Sequence, residues 1–301
     1  MNSMKIAAGS SNPKLAEKIA QQLNTKLIDI DLTDFPNDER RIHIREDVNG
    51  QDIAVIQSFS KPTDQHILEF LLLADAFERA GARNINLVLP WMGYSLQDKV
   101  FRGGEPIAAK VVANLVSNSY TNRVFLLDLH NTSTPGFFSI PSQHLSAQNL
   151  FADYAKDKID LKNTVIASPD FGGLKRARVF ATQLGLDLVN IDKHRSYSTG
   201  EVTAVDVHGN VANKNVIILD DLILSGSTAI ESASLLKANG AKEVYFFATH
   251  GVFIPGSLEK IVSSDLNKIV ITNSIAHEQL NKKIAVLDCS AIFSEALKKW
   301  L

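Results

Sequence analysis

Short apolar, β-branched runs recur along the chain, among them "KIAAG", "DIAVIQS", "NINLVLP", "RVFLLDL", "TVIASP", "DLVNID", "NVIILDD", "EVYFFATHG", "KIVITN" and "KIAVLD". Between them lie stretches whose apolar residues return at helical spacing, such as "NPKLAEKIAQQL", "DQHILEFLLLADAFERAG", "EPIAAKVVANLVS", "GGLKRARVFATQLG" and "STAIESASLLKANGAK". The first pattern predicts strands and the second predicts amphipathic helices. Strands that are apolar throughout and alternate with helices imply parallel sheets covered on both faces. The expected fold is a doubly wound α/β architecture that occurs twice.

The loop "HNTSTPGFFSIPSQ", punctuated by Gly and Pro, sets the boundary near Ser142 to Ala147, so the expected domains are residues 1–145 and 146–301, each of ordinary domain size. Similar helix ends, "ERAGARNINLV" and "KANGAKEVYFF", favour a duplicated fold. Composition narrows the function classes. The chain has 301 residues, 45% hydrophobic and 21% charged, with a net charge of -2, an ordinary globular balance without the basic excess that attracts nucleic acid. No apolar run approaches the roughly 20 residues that cross a bilayer. The N-terminal stretch breaks at Gly9 and Asn12 instead of continuing as a signal core. A cytoplasmic protein with neither membrane nor nucleic-acid partner is expected. The single cysteine, Cys289, cannot form an internal disulfide, which fits a reducing compartment.

Candidate chemistry concentrates where apolar runs end, because ligands of open parallel sheets bind outside the carboxyl ends of the strands. In "NVIILDDLILSGSTAI" two carboxylates, Asp220 and Asp221, are read as the tip of a strand, and Ser225, Gly226, Ser227 and Thr228 lead into a helix. Backbone N–H groups and hydroxyls at a helix N-terminus suit a phosphate. Adjacent carboxylates suit a vicinal diol, or a magnesium ion held through water. Diol plus phosphate describes a ribose 5-phosphate. The Gly-x-x-x-x-Gly-Lys spacing of a nucleotide-triphosphate cradle is missing, and Ser and Asp are also favoured as plain caps. Other strand ends carry His130 in "DLH", Asp170 in "SPD" and His250 in "ATHGVF". Gly172 and Gly173 allow close backbone approach before Lys175, Arg176 and Arg178, cations that read equally well as an exposed helix face. Lys193 and Arg195 of "IDKHR" stand at i and i+2, on one side of an extended backbone, just before a Gly- and Ser-containing stretch, residues 196–200, that reads as a flexible lid. "DFPNDERR" reads from spacing alone as a polar turn.

Together these motifs, with "GSSNPKLAEKIA", "VLPWMGYSLQDK", "EPIAAKVVANLV" and "LLDLHNTSTPGFFSIP", resemble one family in its own order over nearly the whole chain: the ribose-phosphate diphosphokinases, or phosphoribosyl pyrophosphate synthetases. The resemblance implies two phosphoribosyltransferase-like domains, each a mainly parallel sheet flanked by helices, with ATP on the N-terminal side and ribose 5-phosphate on the C-terminal side. It implies transfer of the β,γ-diphosphoryl group of ATP to the C1 hydroxyl of ribose 5-phosphate, giving phosphoribosyl pyrophosphate and AMP. On matching positions, Phe35, Asn37, Asp38, Glu39, Leu96 and Gln97 face ATP, and His130 and Asp170 bind Mg2+. Lys193 and Arg195 meet the transferring phosphates. Asp220, Asp221, Leu224, Ser225, Gly226, Ser227 and Thr228, with Arg195, bind ribose 5-phosphate. Self-association as a dimer, tetramer or hexamer is also implied.

Two positions depart from the family pattern. Leu224 stands where a third acid is usual, and Leu96 stands where an arginine normally reaches the ATP phosphates, with Lys99 and Arg102 as candidates to compensate. Losing one charge-assisted hydrogen bond costs about 1.5 to 3 kcal/mol. The segment "FRGGEPIAAK" resembles the archaeal arrangement more than the form inhibited by ADP. The departures favour, as alternatives, a non-catalytic regulatory homologue, and the acid-pair motif also resembles phosphoribosyltransferases.

Overall fold

The computed structural model of the chain describes residues 4–170, 172–195 and 202–300, with backbone alone for 193–195 and 202–205. Its contacts divide it into two compact units. The first holds residues 1–146, 274–276 and 288–301, and the second holds 147–273 and 277–287.

In the first unit the elements are β1 (Lys5–Ala8), α1 (Pro13–Gln22), β2 (Ile30–Asp34), β3 (Arg40–Ile44), β4 (Asp52–Ile56), α2 (Thr63–Arg79), β5 (Asn84–Leu89), α3 (Ala108–Ser117), β6 (Arg123–Leu127) and β7 (Ser142–Leu145). The main sheet has the order β1-β4-β5-β6-β7, and every pairing is parallel. Parallel strands need covering on both faces. Phe70, Leu73 and Phe77 of α2 and Val112 and Val116 of α3 join Val55, Leu87 and Leu126 of the sheet in one core, and burying each such side chain contributes roughly 1.5–3 kcal/mol. The start of α1 is set locally: Pro13 occupies its first turn and the Asn12 side chain accepts from Leu15 N–H at 3.3 Å. "DFPNDERR" is indeed a turn, but of a separate antiparallel hairpin, β2–β3, in which Asp34 pairs with Arg40.

The second unit contains α4 (Gln148–Lys158), β8 (Thr164–Ser168), α5 (Leu174–Leu184), β9 (Leu188–Arg195), β10 (Val202–His208), β11 (Asn215–Ile223), α6 (Ser227–Ala238), β12 (Glu243–Gly251), α7 (Ser257–Val262), β13 (Lys268–Thr272) and β14 (Ile284–Leu287). Its sheet runs β10-β9-β8-β11-β12-β13-β14, parallel except for the β9–β10 pair. Strand β11 is central. Val216 and Ile218 pack on the side of Ala229, Ala233 and Leu236 of α6. On the opposite face Phe247 meets Phe151, Tyr154 and Phe180, with ring centroids 5.5, 5.8 and 6.4 Å away.

The last helix, α8 (Ser290–Lys298), returns to the first unit and packs on α1. Gln22 and Ser290 are joined at 2.8 Å, Ser294 donates to Gln22 at 2.6 Å, and Lys18 pairs with Asp288 at 3.0 Å. Cys289, at its start, is buried. Thus the α/β architecture expected from the alternating pattern is present in both units, and the units are discontinuous in sequence. No helix among the described residues is long and apolar enough to cross a membrane.

Candidate active site

The acid pair lies differently from its expected position. β11 does not stop at Leu219 but continues to Ile223, so Asp220 and Asp221 sit within the strand and not at its tip. Pairing with β12 continues through Asp220–Ala248 and Leu222–His250, and this neighbour extends the strand beyond the end of its apolar run. Asp221 is buried, and its N–H donates to Asp220 Oδ1 at 2.9 Å. Burial, then the neighbouring Asp221 carboxyl, push the Asp220 carboxyl well above the usual carboxylate range. The countercharge is Arg176: its Nη1 lies 3.2 Å from Asp221 Oδ1 and 3.7 Å from Asp220 Oδ1. Of the three cations that read as a helix face, Lys175 and Arg178 are exposed as expected, whereas Arg176 turns to the acids. The sequence contained a sign of this, since cations in the first turn of a helix oppose its dipole.

After Ile223 the chain turns through Leu224, Ser225 and Gly226 into α6. Gly226 is required here. Its φ of 79° is left-handed, and a Cβ in its place would lie 2.5 Å from Ile261 Cγ1. Gly226 starts α6 without a side-chain cap, so the helix relies on other acceptors for the N–H groups its first turn leaves over. Ser225 Oγ and Ser227 Oγ are 2.9 Å apart, and Ser225 Oγ accepts from Ser227 N–H at 3.3 Å. Leu224 is half-buried, and its carbonyl accepts from Ile254 N–H at 3.1 Å. The backbone at this position therefore serves to join the turn to the loop after β12.

Also in the second unit, Asp170 follows β8, and its Oδ1 accepts from Gly173 N–H at 2.8 Å. The tight glycine turn thus holds one carboxylate oxygen ahead of α5. His250 is buried within β12. Lys193 and Arg195 belong to β9, opposite Ala204 and Val202 of β10. Their side chains, and the expected lid at residues 196–200, lie outside the described residues.

In the first unit, Phe35, Asn37, Asp38 and Glu39 form the exposed loop of the β2–β3 hairpin. Phe35 N–H donates to the Glu39 carbonyl at 2.8 Å, Asp38 adopts a φ of 64°, and Arg41 stacks 5.8 Å from the Phe35 ring centroid. Arg40 anchors the hairpin through Asp34 at 3.0 Å and the wholly buried Glu69 of α2 at 2.9 Å. Glu69 also accepts from Ser10 N–H and Oγ–H and from Gln57 Nε2 at 2.7–2.8 Å. A cleft of about 580 Å3 opens here, lined by Asp34, Asp38, Glu39, Arg40, Gln65, Leu68 and Leu72. Arg40 and Glu69 carry no mark in the linear pattern, because residues so far apart meet only in the folded chain.

Leu96 and Gln97 lie in the loop after β5, with Leu96 half-buried and the Gln97 carbonyl accepting from Ala109 N–H of α3 at 3.1 Å. His130 lies exposed in the loop after the neighbouring strand β6. A 2.6 Å hydrogen bond from Asn131 to Asp98 ties these two loops together, and His144 of β7 accepts from Leu129 N–H at 2.9 Å. Lys99 stacks 5.1 Å from the exposed Phe101 ring.

Residues 4–119 match the N-terminal domain of ribose phosphate pyrophosphokinase, and residues 196–301 match the phosphoribosyl synthetase-associated domain. Ribose-phosphate pyrophosphokinases of Helicobacter hepaticus and Thermotoga maritima are each 39% identical, over 299 and 300 residues, covering 99% of this chain and 96% and 95% of those proteins. The crystal structure of phosphoribosylpyrophosphate synthetase from Mycobacterium smegmatis is 31% identical and superposes with a TM-score of 0.91 over 99% of this chain and 98% of that one. With both its fold and nearly its whole length shared, the chain belongs to the ribose-phosphate pyrophosphokinase family of enzymes.

Proposed function

We propose that the protein transfers the β,γ-diphosphoryl group of ATP to the C1 hydroxyl of ribose 5-phosphate, yielding phosphoribosyl pyrophosphate and AMP. The observation that carries this reading is the β11–α6 junction. It combines a cation-balanced carboxylate pair with a glycine-started helix N-terminus, and so offers acceptors to a diol and donors to a phosphate. Asp220 and Asp221 take the sugar hydroxyls, and the Leu224–Thr228 turn takes the 5-phosphate. The exposed Phe35 ring, with Asn37, Asp38, Glu39, Leu96 and Gln97, contacts ATP, the ring supplying a stacking face for adenine.

Diphosphoryl transfer needs alignment and charge neutralisation more than covalent chemistry. Lys193 and Arg195 supply cationic charge to the moving phosphates. Asp170 suits magnesium as a hard oxygen donor oriented by its glycine turn. No group of three or more His, Cys, Asp or Glu residues among the described residues gathers as a ready ion site. An ion held mainly by substrate phosphates and water needs few protein donors, and a magnesium contact is proposed for Asp170 and, independently, for His130. When bound, magnesium supplies neutralisation of phosphate charge. Self-association is part of the proposal, supported by an apolar cleft of about 560 Å3 between α2 and α3 that includes the exposed side chains of Leu68, Val111 and Leu115.

The test is incubation with ATP, ribose 5-phosphate and magnesium. AMP and phosphoribosyl pyrophosphate are expected in equal amounts, and absence of AMP above background sinks the proposal in favour of the regulatory reading that Leu96 and Leu224 support. Lys193→Ala is expected to lower turnover steeply with an unchanged circular-dichroism spectrum; unchanged turnover removes Lys193 from the mechanism.

A further inference from the structure

We infer that Arg176 is a positioning residue: its guanidinium holds the Asp220 and Asp221 carboxylates side by side as the two acceptors for a sugar diol. This rests on reading the β11–α6 junction as the ribose 5-phosphate site.

Three observations lead to it. First, one nitrogen, Nη1, approaches both carboxylates, at 3.2 and 3.7 Å, so a single cation bridges the pair. Two carboxylates on adjacent residues repel each other. Asp221 is buried, where an unpaired charge is costly, and the shared guanidinium offsets part of the repulsion between the two carboxyls.

Second, Arg176 occupies the first turn of α5, which contains no acidic residue and carries Lys175 beside it. A cation there opposes the helix dipole. A local rule broken in this way marks a position kept for its tertiary partner, and here the partner is the acid pair. Third, the two neighbouring cations, Lys175 and Arg178, are exposed, whereas the Arg176 side chain is only 27% exposed. The inward turn is therefore specific to Arg176.

The guanidinium is planar and always charged, so the nitrogen between the two carboxyls is held in place more firmly than a freely rotating lysine ammonium. The consequence is substrate-specific. Losing Arg176 should weaken contacts to the hydroxyls of the sugar more than contacts to its phosphate, which belong to the turn at Leu224–Thr228.

The experiment compares ribose 5-phosphate with 2-deoxyribose 5-phosphate, which lacks one hydroxyl of the diol, in wild type, Arg176→Gln and Arg176→Lys. Sugar affinity is measured by calorimetry in the presence of magnesium, and KM at saturating ATP. Arg176→Gln is expected to weaken ribose 5-phosphate binding about tenfold or more, the scale of a lost charge-assisted contact, while 2-deoxyribose 5-phosphate loses less than about threefold. Arg176→Lys should recover part of the difference, and it carries the comparison if the Gln variant fails to fold. The KM for ATP should stay unchanged. Equal penalties for the two sugars, or no penalty, overturn the positioning role. A wild-type protein that binds neither sugar overturns the site reading itself and the inference with it.

Discussion

Replacing Gly226 by alanine should damage the turn before α6 for two separable reasons. The residue has a φ of 79°, and an added methyl would meet Ile261 Cγ1 at 2.5 Å and Cδ1 at 2.7 Å. The left-handed backbone costs an alanine about 1–2 kcal/mol, and forcing a methyl into a packed contact costs about 1–3 kcal/mol. Gly226→Ala should therefore destabilise the second unit by about 2–5 kcal/mol. Ile261→Ala alone leaves a cavity and costs a similar about 2–5 kcal/mol. The double variant removes both clashing atoms. The next neighbour, Ile230 Cδ1 at 3.8 Å, is in ordinary contact, so only the backbone penalty of Gly226→Ala survives. The two substitutions should couple favourably by about 1–3 kcal/mol. Hydrogen exchange of peptides covering α6 and α7, with and without urea, reads the unit locally, and the double variant should open less readily than the two single penalties predict by addition. Penalties that add to within about 0.5 kcal/mol would refute the packing argument.

Three further outcomes follow from the same geometry. The Asp220 carboxyl is pushed up by burial and by Asp221, so the fold favours its protonated form. That contribution is complete below the usual carboxylate range and is lost as pH rises through the raised value. Asp220→Asn should thus raise the urea midpoint increasingly from pH 4 to pH 8 while abolishing ribose 5-phosphate binding, and a lowered midpoint at pH 8 contradicts it. Arg40→Ala strips the buried Glu69 of its cation and should cost about 3 kcal/mol, with a raised KM for ATP and an unchanged KM for ribose 5-phosphate; equal rises in both count against a hairpin-specific effect. His208 is raised by its hydrogen bond to Asp192 at 2.7 Å and by that carboxylate's charge. Its contribution is present below the usual imidazole range and lost as pH rises through the raised value, so β9–β10 peptides should be better protected at pH 6 than at pH 8.5 after correction for intrinsic rates. Asp192→Asn should remove that difference, and its persistence would exclude the pair.

Much of this molecule is legible in one dimension because burial on both sheet faces leaves a mark. A parallel strand covered on both sides must be apolar throughout, and runs such as Val216–Leu219 and Ile53–Ile56 show it directly. The hairpin β2–β3 escaped that logic because its residues are exposed or half-buried, with no apolar run to mark them. The true end of β11 escaped it too. Pairing with β12 carries the strand through two carboxylates, and hydrogen bonds to a neighbouring strand have no signature in the strand's own side chains.

The sequence by itself determined the α/β class and the entry from a strand through Ser225–Thr228 into a helix. Each follows from local rules: periodicity, turn chemistry and helix ends. Tertiary structure alone decided that α8 closes the first unit against α1, that Glu69 receives Arg40, and that Arg176 rather than Lys175 or Arg178 faces the acid pair. Those choices join residues remote in sequence. For Glu69 and Asp221 the energy comes from buried charges finding partners, and for α8 from burying Phe293 and Leu297; both depend on distances that only the folded chain sets.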